Sequence, residues 1–170
     1  MAKTIYAALT GNNGGLKLAP IYSDGMVMQR RQPIVFRGTA NAETQVKVAF
    51  NGQQQTCTAA ANGHWKATFP AMEAGGPYEA QIRTKGERRD LHLIYIGEVW
   101  LCSGQSNMEF PVRATTTATE DLAHADRHPL LHLYNMPTRF PTNAEKWPKA
   151  VLDSVNRLAL LDTKGWQVAS

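Results

Sequence analysis

The stretch "TQVKVAFNGQQQTCT", residues 44–58, decides how the first half of the chain folds. Its apolar side chains recur at every second position, which places them on one face of an extended strand: Val46, Val48 and Phe50. Asn51 and Gly52 follow, and this pair accepts the positive φ angles of a type I′ turn. The stretch is therefore predicted to form a β-hairpin with one face buried in a core.

The same alternation continues on both sides of this hairpin. A second Asn-Gly pair at 62–63 predicts another hairpin, and "KGE" at 85–87 predicts a third. Many short strands with regular turns are typical of an antiparallel β-sandwich. We predict a jelly-roll-like sandwich over residues 20–96, preceded by an N-terminal extension over residues 1–19. Its further strands are "GMVMQ" (25–29), "IVFRGTA" (34–40), "HWKATF" (64–69), "YEAQIRT" (78–84) and "RDLHLIYI" (89–96).

The pattern changes at Gly97. "EVWLCSG" (98–104) is a continuous apolar run, which is expected of a strand covered on both faces. "TTTATEDLAHADRH" (115–128) favours a helix capped by Thr119 or a nearby threonine, and "PLLHLYNM" (129–136) favours another buried strand. This order predicts a βαβ unit that begins an α/β domain over residues 97–170.

We expect this chain to hold only part of the second domain. Three prolines break residues 137–150, and helical spacing returns over residues 151–161. A single βαβ unit cannot cover both faces of a parallel sheet. We therefore expect the remaining part of the domain to lie C-terminal to Ser170.

Composition excludes some classes of protein. The formal net charge is +4, but the basic residues are scattered, and pairs such as Arg30-Arg31 and Arg88-Arg89 have acidic neighbours, which argues against nucleic-acid binding. Two cysteines, Cys57 and Cys102, do not form a disulfide framework. No apolar run reaches membrane-spanning length, and the first residues lack the apolar part of a signal peptide, so a cytoplasmic location stays open.

The polar cluster after residues 98–104 holds the candidate site. Ser106 follows the carboxyl end of the first predicted strand of the α/β domain, where such folds bind ligands. A lone serine at such a place often serves only as a helix cap or a turn residue. The pattern also departs from the Gly-x-Ser-x-Gly elbow, since Met108 stands where the second glycine would be.

Two longer stretches carry a resemblance to a known family. "GEVWLCSGQSNMEFPV" (97–112) and "IYSDGMVMQRRQPIVFRGTA" (21–40) resemble the sialate O-acetylesterase family of the SGNH (GDSL-like) serine hydrolases. The resemblance implies removal of O-acetyl groups from sialic acids or related acetylated sugars, with no metal or organic cofactor. It also implies a periplasmic or extracellular location. By motif, Ser106 would be the nucleophile and part of the oxyanion hole, Gly104 would permit the tight turn, and Gln105 and Asn107 would order the turn or line the pocket.

The family's catalytic base is a histidine in an Asp-x-x-His block near the far end of the domain. "DLAH" at 121–124 has this spelling, but it falls on the helix next to Ser106, where a surface ion pair is the better interpretation. His128 suits a helix end, and solvent exposure or ordinary packing suits the remaining histidines: His64, His92 and His132. Trp147 and Trp166 would line a sugar-binding cleft or anchor loops.

Three hypotheses remain open from the sequence. The first is a carbohydrate O-acetylesterase, a serine carboxylic-ester hydrolase of which this chain is the N-terminal part. The second is a truncated remnant without turnover. The third is a non-enzymatic β-sandwich module that binds glycans or another chain.

Overall fold

The fold consists mostly of strands with little helix. The structure, a computed structural model, describes residues 15–104, 108, 110–124, 127–136 and 165–168. The predicted helix over 151–161, the proline-broken segment 137–150 and Trp147 lie outside the described residues. The described elements are β1 Lys17–Leu18, β2 Val27–Gln29, β3 Pro33–Thr39, β4 Gln45–Phe50, β5 Gln53–Thr58, β6 His64–Ala71, β7 Gly75–Arg83, β8 Arg88–Gly97, a 3-10 turn Val112–Ala114, α1 Ala118–Ala123, β9 His132–Tyr134 and β10 Trp166–Val168.

Two main sheets lie against one hydrophobic core. One sheet has the strand order β1-β3-β6, and the other has the order β2-β8-β7-β4-β5. The three predicted apolar residues of β4 are buried, and the same alternation buries Trp65, Ala67 and Phe69 on β6. Leu16, within the predicted extension, is buried in the same core.

Aromatic rings fill the centre of this core. Phe36 is 0% exposed, and its ring centroid lies 5.3 Å from that of Phe50 and 5.9 Å from that of Phe69. Both contacts are edge-on, the arrangement that the quadrupole of an aromatic ring favours. Phe36 and Phe69 belong to the three-stranded sheet and Phe50 to the five-stranded sheet, so the contact of Phe36 with Phe50 joins the two sheets.

The expectation of purely antiparallel sheets is wrong for β2. This strand pairs in parallel with β8, with Val27 opposite Tyr95 and Gln29 opposite Gly97. The chain turns away at Arg31, where φ is 58°, and enters β3 in the other sheet. The next strand in the sequence, β3, lies in the other sheet, so β2 pairs with β8 and forms an edge of the five-stranded sheet.

Of the two Asn-Gly pairs, only the first forms the predicted hairpin. Asn51 and Gly52 have φ angles of 46° and 70° and join β4 to β5 in register. At 62–63 the hairpin prediction is wrong, because β5 and β6 belong to different sheets. Gly63 accepts a hydrogen bond from the Ala40 N–H at the end of β3, so this turn directs the chain into the three-stranded sheet.

The hairpin at 51–52 gives a test of conformational strain. A Cβ at Gly52 would meet nothing within 4 Å, so its positive φ is the only obstacle to a side chain there. We expect Gly52→Ala to lower the free energy of unfolding by about 1–2 kcal/mol. Gly86 is equally open and has no positive φ, so Gly86→Ala should stay within about 0.5 kcal/mol of wild type. Equal losses in urea unfolding would contradict the φ argument.

The βαβ prediction after Gly97 is wrong in its strands. Residues 98–104 form no strand, and their apolar side chains are exposed. A strand needs a hydrogen-bonding neighbour, and no described strand lies beside this segment. The helix does form as α1, with Thr117 as its N-terminal flanking residue, but β9 is half-exposed and pairs antiparallel with β10.

Candidate active site

The route from the sheet to the predicted serine begins at the end of β8. Arg30 Nε lies 2.5 Å from Glu98 Oε1, and Gln29 Nε2 donates to Glu98 Oε2 at 3.0 Å. Hydrogen bonds from Gln29 and then Arg30 lower the pKa of the Glu98 carboxyl. The Val99 N–H donates to Gln29 Oε1 at 3.0 Å. These contacts hold the chain at the point where it leaves the sheet.

The segment that follows is unusually apolar for an exposed one. Trp100 is 83% exposed and Leu101 is 92% exposed, whereas the sequence predicted that residues 98–104 are covered on both faces. Cys102 is exposed and carries a free thiol. This apolar segment ends at Gly104, the last described residue before Ser106.

Gly104 lies against a residue four positions further along the chain. A Cβ placed on Gly104 would lie 2.8 Å from Met108 Cγ, so the absence of a side chain makes room for Met108. Gln105, Ser106 and Asn107, the remaining predicted site residues, lie outside the described residues.

The Asp-x-x-His sequence at 121–124 lies on the surface, on α1 and at its end. Asp121 Oδ2 accepts a hydrogen bond from Thr117 Oγ1 at 2.6 Å. His124 is the residue that ends the helix, and its backbone N–H donates to the Asp121 carbonyl. Among the ion pairs of the described residues, none joins Asp121 to His124. The expected surface ion pair is therefore absent, and the Asp121 carboxylate instead accepts a hydrogen bond from Thr117.

The strands β9 and β10 are anchored on the loop before β2. His132 Nδ1 donates to the Gly25 carbonyl at 2.6 Å, and the His132 ring lies 4.8 Å from that of Tyr95. Trp166 Nε1 donates to the Ile21 carbonyl at 2.8 Å. Of its two predicted roles, Trp166 thus has the anchoring one.

A polar cleft of about 270 Å³ lies on the outer face of the five-stranded sheet. Asp90 lines it and accepts hydrogen bonds from Arg88 and Gln81. Arg88 is the first cause of the lowered pKa of the Asp90 carboxyl. His92 also lines the cleft, together with the apolar residues Phe50, Ala80 and Leu91, and no serine is among the lining residues. The cleft is separate from the route to Ser106.

The charged residues support the interpretation of scattered surface charge. Arg31 pairs with Glu73, and Arg88 pairs with Asp90, so both basic pairs of the sequence have acidic partners. In the described ranges, no three His, Cys, Asp or Glu side chains are placed to hold a metal ion. No described helix has the length and hydropathy needed to span a membrane. Burial raises the pKa of the Cys57 thiol, which is free and half-buried.

Sequence reasoning missed two residues of this region. Gln29 and His132 make the long-range contacts just described, yet both stand in strands where an amide or an imidazole normally faces solvent. The one available signal for Gln29 was its place at the end of a short strand, next to two arginines.

Comparison with known proteins identifies relatives of this chain. It is 27% identical over 143 residues to a sialate O-acetylesterase of Pongo abelii, covering 78% of this chain and 27% of the relative. It is 29% identical over 121 residues to that of Homo sapiens, covering 65% and 23%. No protein-family model matches the chain.

A solved structure agrees with these relatives. The crystal structure of a carbohydrate acetylesterase from Xanthomonas citri superimposes with a TM-score of 0.68 and 33% sequence identity, covering 72% of this chain and 28% of the other. The chain thus spans about a quarter of the length of the proteins it matches. On this agreement of sequence and fold, the chain belongs to the sialate O-acetylesterase-like family.

Proposed function

We propose that this chain is part of a serine esterase that removes O-acetyl groups from sialic acids or related acetylated sugars. The similarity to three named acetylesterases carries the proposal. The substrate is an O-acetylated carbohydrate, and the family resemblance supports a periplasmic or extracellular location.

In this proposal Ser106 Oγ attacks the acetyl carbonyl, and the Ser106 N–H helps to bind the oxyanion. Gly104, whose missing side chain leaves room for Met108, would permit the tight turn that presents this hydroxyl. Gln105 and Asn107 order the turn or line the pocket. A weakly nucleophilic serine needs a base to take its proton, and the described part of the chain offers no suitable histidine beside the turn.

The proposed fold accounts for the missing base. We propose a jelly-roll-like sandwich over 20–96 and, over 97–170, the first part of an SGNH-type domain whose other elements are supplied by the remaining length of the family's proteins. In such an assembly the exposed Trp100 and Leu101 would be covered by those elements. The catalytic histidine would come from the same remaining part of the esterase domain.

Hydrolysis of p-nitrophenyl acetate tests this function. The 170-residue chain should hydrolyse the ester no faster than its own Ser106→Ala variant, because in this proposal the base lies in the part of the family's domain that follows residue 170. An extended chain, in which the remaining length of the family's esterase domain follows residue 170, should turn over O-acetylated sialic acid. A purified, folded extended chain that hydrolyses no acetylated sugar would refute the proposal and favour the remnant without turnover.

A further inference from the structure

The side chain of Gln29 continues a strand pairing that the backbone cannot continue. The parallel pairing of β2 with β8 ends where Gln29 lies opposite Gly97, and the Arg30 N–H then donates to the Gly97 carbonyl at 2.9 Å. At Arg31 the backbone turns toward β3, and its N–H donates to the Met72 carbonyl. The chain after Gly97 therefore loses its backbone partner at this point.

Gln29 replaces that partner with both atoms of its amide. Oε1 accepts from the Val99 N–H at 3.0 Å, while Nε2 donates to the Glu98 carboxylate at 3.0 Å. The orientation is unambiguous, since an N–H can only donate and a carboxylate can only accept. Arg30 binds the second oxygen of Glu98. Two successive residues, Glu98 and Val99, are thus held by one side chain.

We propose that Gln29 is a positioning residue, which fixes the direction in which residues 98–104 leave the sheet and thereby the position of Ser106, which follows them in the chain. The proposal rests on the proposed esterase function. It assigns Gln29 no contact with substrate. Hydrogen bonds to a charged group, such as those to the Glu98 carboxylate, are stronger than neutral ones. The hydrogen bonds from Gln29 and Arg30 also lower the pKa of the Glu98 carboxyl, so it stays ionised at lower pH.

Gln29→Met tests the proposal, because it keeps the length of the side chain and removes its three hydrogen bonds, to Glu98, Val99 and the Arg30 carbonyl. Gln54→Met is the matched control, since Gln54 is exposed on β5. In the 170-residue chain, amide hydrogen exchange at Val99 should become about tenfold faster in Gln29→Met. The amides of Val48 and Ile82, in the middle of the sheet, should keep their rates, and the control should change none of them.

Kinetics of the extended chain give the second readout. Gln29→Met should lower kcat on an acetyl ester about 10- to 100-fold, as expected for a misplaced nucleophile, while KM and Tm stay close to those of Gln54→Met. Unchanged exchange at Val99 would overturn the proposal whatever the activity. Faster exchange with unchanged kcat would overturn the positioning role. An inactive wild-type extended chain would refute the esterase function instead, and the exchange at Val99 would then decide alone whether Gln29 fixes this direction.

Discussion

Replacement of Ser106 by alanine in the extended chain is expected to lower kcat for acetyl-ester hydrolysis by at least about 10⁴-fold. The variant has no nucleophile, so any residual rate comes from the oxyanion donors and substrate binding, which supply about 10³-fold over water. The lost hydroxyl is small, and the free energy of unfolding should change by no more than about 1 kcal/mol. Steady-state kinetics with urea unfolding of the same preparations measure both quantities.

Ser103 provides the control, because it is an exposed serine three residues earlier in the same segment. Ser103→Ala should keep kcat within about twofold of wild type, because Ser103 is exposed and has no proposed role in the reaction. If Ser103→Ala and Ser106→Ala lose activity equally, Ser106 is not the nucleophile. If the 170-residue chain itself turns over and loses activity on both Ser106→Ala and His124→Ala, then His124 is the base, and its interpretation as a surface residue is wrong.

Replacement of Phe36 by alanine is expected to lower the free energy of unfolding by about 3–5 kcal/mol. The side chain is fully buried between the two sheets, and its removal leaves a cavity beside the rings of Phe50 and Phe69. This loss is a large share of the stability of a small domain, so the variant should be partly unfolded at 37 °C. Urea unfolding followed by circular dichroism measures it.

Two further variants keep this test decisive. Phe36→Leu retains most of the volume and should cost only about 1–2 kcal/mol, so it stays measurable if the alanine variant does not fold. Phe110 is 58% exposed, so Phe110→Ala should change stability by less than about 0.5 kcal/mol. Equal losses for Phe36→Ala and Phe110→Ala would contradict the position of Phe36 at the centre of the core.

The parts of the fold that depend on neighbouring residues were predictable from the sequence. Alternation placed Val46, Val48 and Phe50 on the buried face, and Asn51-Gly52 marked the turn, because side-chain direction and turn geometry are local properties. The pair at 62–63 has the same letters, but its flanking strands belong to different sheets. Which strands pair is a property of the whole chain, and for β2 it led to a parallel partner that local pattern does not indicate.

The candidate site shows the same division. Position 106 was found through a local motif, and its catalytic role stays a prediction. The apolar run 98–104 was interpreted as a buried strand because composition reports what a segment would bury, whereas burial also requires a neighbour that covers it. Gln29 went unnoticed because its partners, Glu98 and Val99, lie about seventy positions away and are brought together only by the parallel pairing.

The parallel pairing of β2 with β8 also constrains the order of events when the chain folds. Val27 meets Tyr95, so β2 has no partner until almost the whole sheet domain has been synthesised. The hairpin β4–β5 closes a short loop and is available early, whereas docking of β2 closes a long one. Such a high contact order is typical of domains that fold in milliseconds to seconds rather than microseconds. During translation β2 therefore stays unpaired until β8, the last strand of its own sheet, has been synthesised.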